Sequence, residues 1–111
     1  MKNSCIFCNI LNGVIKSEII YRNSDIFVIK DISPVSPVHL LIIPTKHITQ
    51  LDQLDQIVLE DIFKSPSHLD KKFHFTDQGY RLTINIGKNA GQVIDHLHFH
   101  LLAGKKLNHL G

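Results

Sequence analysis

The chain has no tryptophan, a single methionine and only two cysteines among its 111 residues, and aromatic side chains make up 7% of it. Two cysteines cannot build the disulfide framework of a small secreted domain, so a reducing, cytoplasmic setting is expected. Charge of one sign is also scarce. The formal excess of +2 argues against nucleic-acid or membrane partners, and no basic run exceeds Lys71-Lys72 or Lys105-Lys106. No apolar run is long enough to span a bilayer, and no cationic segment leads into an apolar one. Repeats, linkers and low-complexity stretches are missing too, which points to one domain over residues 1–111.

Histidine is the residue in excess, with eight copies. Three of them alternate with apolar residues in His96-Leu97-His98-Phe99-His100-Leu101-Leu102. Side chains alternate faces along a β-strand, so a strand here places His96, His98 and His100 together and turns Leu97, Phe99 and Leu101 toward a core. A helix would scatter the three rings. An imidazole near neutral pH is donor, acceptor, metal ligand or nucleophile. The row therefore admits three readings: plain surface histidines, a metal site in which histidines at i and i+2 share an ion, or a central nucleophile oriented by its neighbours.

The remaining pattern is that of a small α+β domain. Ser4 is placed to cap a short helix from Cys5 to Leu11 that ends at Asn12-Gly13. Strands are expected at Glu18–Tyr21, Ile26–Lys30, Val38–Ile43, Tyr80–Ile86 and Val93–Leu102, with Pro34 and Pro37 breaking the chain between the second and third. Leu51, Leu54, Ile57, Val58 and Ile62 follow helical spacing, and Pro66 is expected to stop or kink that helix near Lys64-Ser65. Ser67–Phe75 then reads as an ambiguous, separate piece. Hairpin-length connections imply a five-stranded antiparallel sheet with a short N-terminal helix and one longer, broken helix, the helices on one face. The glycine-bearing loop Gly87–Gln92 just before the histidines could present backbone N–H groups to phosphate oxygens.

The histidine run resembles the H-φ-H-φ-H-φ-φ signature of the histidine triad (HIT) superfamily, and most closely its Hint-type nucleoside phosphoramidases and nucleotide hydrolases. The similarity extends to Cys5–Ile10, to Asp31-Ile32-Ser33-Pro34, to Ile43–Ile48, to Tyr80-Arg81-Leu82 with Asn85, and to Gly91-Gln92. It implies a HIT-like fold. It also implies hydrolysis of purine nucleoside 5′-phosphoramidates or related nucleotides at the α-phosphate, through a covalent nucleotidyl-histidine. On this resemblance His98 is the nucleophile, His96 and His47 form a relay behind it, and His100 contacts the phosphate. Asp31 receives the ribose hydroxyls, Ile32, Phe7 and Ile10 surround the base, and Asn85 with the backbone at Gly91 and Gln92 holds the phosphate side.

Several positions depart from that pattern. Val93 stands where the family usually has Ser or Thr, removing a hydroxyl that could bond the leaving group. Asp95 replaces an apolar or aromatic residue, and the segment between His47 and Tyr80 is short. A nucleotide-binding or zinc-stabilised interaction module with little catalysis is the alternative these departures raise. No cofactor is required for the expected catalysis. Cys5 and Cys8, at i and i+3, could supply two thiolate ligands or simply pack as small apolar residues. The resemblance to zinc-containing relatives adds His47 and His96 as the ligands completing a structural zinc site. It also implies a homodimer through the longer helix and the Tyr80–Ile86 strand. His39, His68, His74 and His109 are assigned no special role.

Overall fold

The computed structural model describes residues 5–108. Ser4 and His109, both named above, lie outside the described residues. The elements run α1 (Ile6–Leu11), β1 (Ile19–Arg22), β2 (Ile26–Lys30), β3 (Val38–Pro44), α2 (Gln56–Phe73), β4 (Tyr80–Ile84) and β5 (Phe99–Ala103). Single turns of 3-10 helix at Leu51–Gln53 and Lys88–Ala90 fall in the connections. All pairings are antiparallel, and the strand order is β1-β2-β3-β5-β4.

The central strands carry unbroken apolar runs, Ile26–Ile29 on β2 and Leu40–Ile43 on β3, and all of these are buried. Such continuous runs belong to strands covered on both faces. One face packs Ile26, Val28, Leu40, Ile42, Phe99 and Leu101 against Ile62, Leu69 and Phe75, which come from α2 and the turn after it. The other packs Phe27, Ile29, Leu41 and Ile43 against Phe7 and Ile10 of α1. The helices therefore cover opposite faces, not one, and α1 shares its face with the histidines.

Two local expectations change. Cys5 caps α1, its sulfur accepting from the Cys8 N–H at 3.4 Å. The helix α2 is unbroken over 18 residues although Pro66 lies inside it. Proline removes the N–H that would reach the carbonyl four residues back, which is that of Ile62. The Ser65 hydroxyl donates to that carbonyl at 2.7 Å, and Ser65 is fully buried. The backbone acceptor is satisfied and the helix continues. Asp55 caps the start by accepting from Val58 N–H, and the left-handed His74 (φ 54°) closes the end with its N–H on the Asp70 carbonyl.

Candidate active site

The strand holding the histidines is shorter than expected. Only His100 lies within β5, opposite Leu41 of β3 and Thr83 of β4. The β3–β5 ladder runs from Val38–Ala103 to Ile42–Phe99, and β3 ends at Pro44, which has no N–H to continue it. Ahead of Phe99 the chain is held by other bonds: Leu97 N–H donates to the Ile48 carbonyl at 2.8 Å and His96 N–H to the Ile94 carbonyl at 2.9 Å. The three rings consequently occupy two different environments.

His98 is 7% exposed, and its Nδ1 lies 2.8 Å from the His96 carbonyl oxygen. A carbonyl only accepts, so Nδ1 carries the proton and Nε2 keeps a lone pair. Phe7 stands edge-on to this ring, 5.0 Å between centroids, and is itself 1% exposed. Phe7 thus walls the His98 ring from behind and is not open to a base.

His100 faces His39, with 2.9 Å between its Nδ1 and His39 Nε2. The Val35 N–H donates to His39 Nδ1 at 3.1 Å, so the His39 proton sits on Nε2 and is given to His100 Nδ1. Asp31 Oδ2, 3.3 Å from His39 Nε2, is a second acceptor for the same proton. His100 must then carry its own proton on Nε2. Burial, reinforced by His98 and His39, lowers the His100 pKa to about 4, and burial likewise lowers that of His39 against the opposing pull of Asp31. His100 is a neutral donor at physiological pH. His39, given no role from sequence, is the ring that fixes this tautomer. Period-two alternation along β3 was the available signal, because it puts His39 on the same face as Leu41 and Ile43. The Asp31 carboxylate oxygen and the ring nitrogens of His39 and His100 converge as a metal site would. The proton held on His39 Nε2 argues against one, since a ligating nitrogen must be bare.

A second cluster has the opposite protonation. The ligand atoms of Cys5, Cys8, His47 and His96 all lie within 4.8 Å of one another. His96 Nδ1 is 3.3 Å from Cys5 Sγ and 3.7 Å from Cys8 Sγ, and His47 Nδ1 is 3.3 Å from Cys8 Sγ. His96 Nε2 donates to the Pro44 carbonyl at 2.9 Å, leaving Nδ1 a lone pair aimed at the sulfurs. His96 is fully buried, and burial lowers its pKa, with the Pro44 bond opposing. Two sulfurs and two imidazole nitrogens with an outer-shell carbonyl form a donor set that fits a tetrahedral ion. The expected relay from His96 to His47 is replaced by this arrangement. The two rings meet edge to face at 4.8 Å, but both turn Nδ1 to the thiols.

The loop before the histidines is built differently from the expected phosphate cradle. Asn85 Nδ2 donates to the Ala90 carbonyl, while the N–H groups of Gly91 and Gln92 donate to the carbonyls of Lys88 and Gly87. The Gln92 side chain accepts from Gly87 N–H and donates to the Ile94 carbonyl. These residues shape the loop and leave Val93 projecting, 91% exposed. Asp31 Oδ1 accepts from Ser33 N–H at 2.8 Å, and Ile32 beside it is 97% exposed. Ile10 lines a cavity of about 570 Å³ with Leu11, Ile15 and Ile19, and no histidine borders it. No described helix is long and apolar enough to cross a membrane.

A family model described as the HIT domain matches residues 12–107. A HIT-like protein of Buchnera aphidicola (subsp. Baizongia pistaciae) is 39% identical over 106 residues, covering 93% of this chain and 95% of its own. An adenosine 5′-monophosphoramidase of Candida albicans is 35% identical over 108 residues, covering 92% and 71%. Among solved structures, a HIT family hydrolase from Clostridium thermocellum aligns with a TM-score of 0.90 at 36% identity, covering 99% of this chain and 98% of that one.

Proposed function

Because the chain belongs to the HIT domain family, we propose that it is a nucleotide hydrolase of the nucleoside 5′-phosphoramidase type, with His98 as nucleophile. The observation that carries this reading is the bond from His98 Nδ1 to the His96 carbonyl, which leaves Nε2 as a bare lone pair. That nitrogen attacks the α-phosphorus and the P–N bond breaks, the departing amine taking a proton from solvent. Water then cleaves the nucleotidyl-histidine. Splitting one displacement into two lowers each barrier. His100 Nε2–H donates to a phosphoryl oxygen as its charge grows, and a neutral donor held in place does so without reorganising. Asp31 Oδ2 accepts from the ribose hydroxyls, and the exposed Ile32 offers an apolar surface to a purine. The phosphoramidase named above supports this substrate class.

Cys5, Cys8, His47 and His96 would hold a zinc ion, whose contribution there is structural: it would pin α1 to the segment before β5. A homodimer in the cytoplasm is part of the same reading, and Ile57, Leu59 and Phe63 on α2 are apolar and exposed enough to be covered by it. The experiment is turnover of a fluorogenic adenosine phosphoramidate by native protein and His98→Ala. Native turnover that disappears in the variant while adenosine monophosphate still binds is the expected result. Undiminished turnover in the variant would sink the mechanism, and nucleotide binding without turnover in the native protein would favour the binding-module alternative.

A further inference from the structure

The two clusters are joined at His98. Its Nδ1 proton is given to the backbone carbonyl of His96, the residue whose side chain is held between the two sulfurs and the Pro44 carbonyl. The helix bearing both cysteines also supplies Phe7, which stands edge-on to His96 at 5.6 Å and to His98 at 5.0 Å. Both the acceptor that sets the His98 tautomer and the wall behind its ring therefore depend on where the sulfurs hold α1. Cys5 and Cys8 remain thiols, half-buried beside the exposed His47, so small solutes reach them.

We propose that the Cys5, Cys8, His47 and His96 cluster is a redox-sensitive positioning site for His98. Reduced sulfurs hold the His96 carbonyl and Phe7 against the nucleophile, and oxidation of the pair to a disulfide releases them. The proposal rests on the reading of His98 as nucleophile. Residues three apart at the start of a helix have Cα atoms about 5 Å apart, a separation a disulfide spans without moving the backbone far. Hydrogen peroxide is a sufficient oxidant. One thiol, its proton lost to solvent, attacks a peroxide oxygen; the O–O bond breaks and the departing hydroxide is protonated to water. The second sulfur attacks the resulting sulfenic sulfur, forming the S–S bond as the S–O bond breaks and a second water leaves. Two sulfurs are oxidised and one peroxide is reduced. The bonded sulfurs then turn toward each other and away from His96 and His47, and an ion held by all four residues loses half its ligands.

The test follows native protein through reduction, peroxide treatment and recovery in dithiothreitol. Phosphoramidate turnover, adenosine monophosphate binding and the NMR signal of the His98 Nδ1 proton are measured at each stage. We expect kcat to fall about tenfold on oxidation, as for loss of an outer-shell support, with nucleotide binding retained, the proton signal lost and dithiothreitol restoring both. A Cys5→Ser, Cys8→Ser variant should start with lowered kcat and show no further response to peroxide. The proposal is overturned if no disulfide forms, if one forms without change in kcat or the proton signal, or if the serine variant responds as the native chain does. Should that variant not fold, the reversible cycle on native protein decides. If reduced protein shows no turnover at all, the hydrolase reading fails by itself, and the proton signal across the cycle still decides whether the cluster positions His98.

Discussion

The side chain of His39 donates its Nε2 proton to Nδ1 of His100 across 2.9 Å, and it is committed to do so because the Val35 N–H occupies its other nitrogen. Replacing His39 by Ala leaves His100 free to take either tautomer and to turn. We expect kcat to fall about a hundredfold, the scale of a small misplacement in a positioned group, with KM changed far less. Steady-state kinetics separates the two constants, and a change confined to KM would refute the orienting role.

The same burial makes the fold sensitive to acid. His100 titrates near 4 in the folded chain and near 6.5 when free, so between those values the unfolded chain holds more protons. Stability then rises with pH across that window and is lost as pH falls through it. The full shift corresponds to at most about 3 kcal/mol, and to about 1–2 kcal/mol once the ring's partial contact with water is allowed for. Urea unfolding of native protein and His100→Asn at pH 7 and pH 4.5 should show the steeper loss in the native chain. Parallel losses would remove His100 as the cause.

Val93 projects from the loop before the histidines with no polar atom in its side chain. Val93→Ser restores a hydroxyl to that position. One additional hydrogen bond to a departing amine is worth about 1 kcal/mol, or roughly fivefold in rate. The gain should appear in kcat/KM for phosphoramidates with poorly leaving, basic amines and shrink as the amine becomes a better leaving group. A uniform change across the series would place the effect elsewhere.

Ser65 and Pro66 form a compensating pair within α2. Ser65→Ala leaves the Ile62 carbonyl buried without its donor, at a cost of about 1–3 kcal/mol. Adding Pro66→Ala supplies a backbone N–H for that carbonyl and should recover most of the loss. Thermal melts of the two single variants and the double variant give the coupling directly. Additive effects would show that the hydroxyl does not stand in for the missing N–H.

Much of this arrangement is legible in the chain, and the exceptions have identifiable causes. The five strands, their antiparallel pairing and the α+β class follow from short apolar runs, alternation and turn residues. The placement of α1 on the face opposite α2 does have a signal in the chain: Ile26–Ile29 and Leu40–Ile43 have no polar alternation, so both faces of the sheet need a cover. Pro66 does not break α2 because the helix-breaking rule concerns an orphaned carbonyl, and a neighbouring serine supplies the bond. The roles of His39 and His47 depend on which ring nitrogen faces which partner, and spacing carries no information about that. Cys5, Cys8, His47 and His96 illustrate the converse: residues up to 91 positions apart can be named as a set by chemistry, yet only the fold brings Cys5 to His96.

Pro44 divides the histidine row into two regimes of cohesion. Beyond it toward Ala103, each residue of β5 is secured by ladders on both sides, so the His100 backbone opens only when the sheet itself does. Before it, His96 and His98 hang on a few individual bonds and on the side chains of α1. Amide hydrogen exchange should accordingly change abruptly between His98 and Phe99, with protection upstream set by local opening and downstream by global unfolding. His98, the proposed nucleophile, and His100, the proposed phosphate donor, are neighbours in space with different lifetimes. The half of the site that carries the proposed nucleophile is the half that can loosen while the rest of the molecule stays folded.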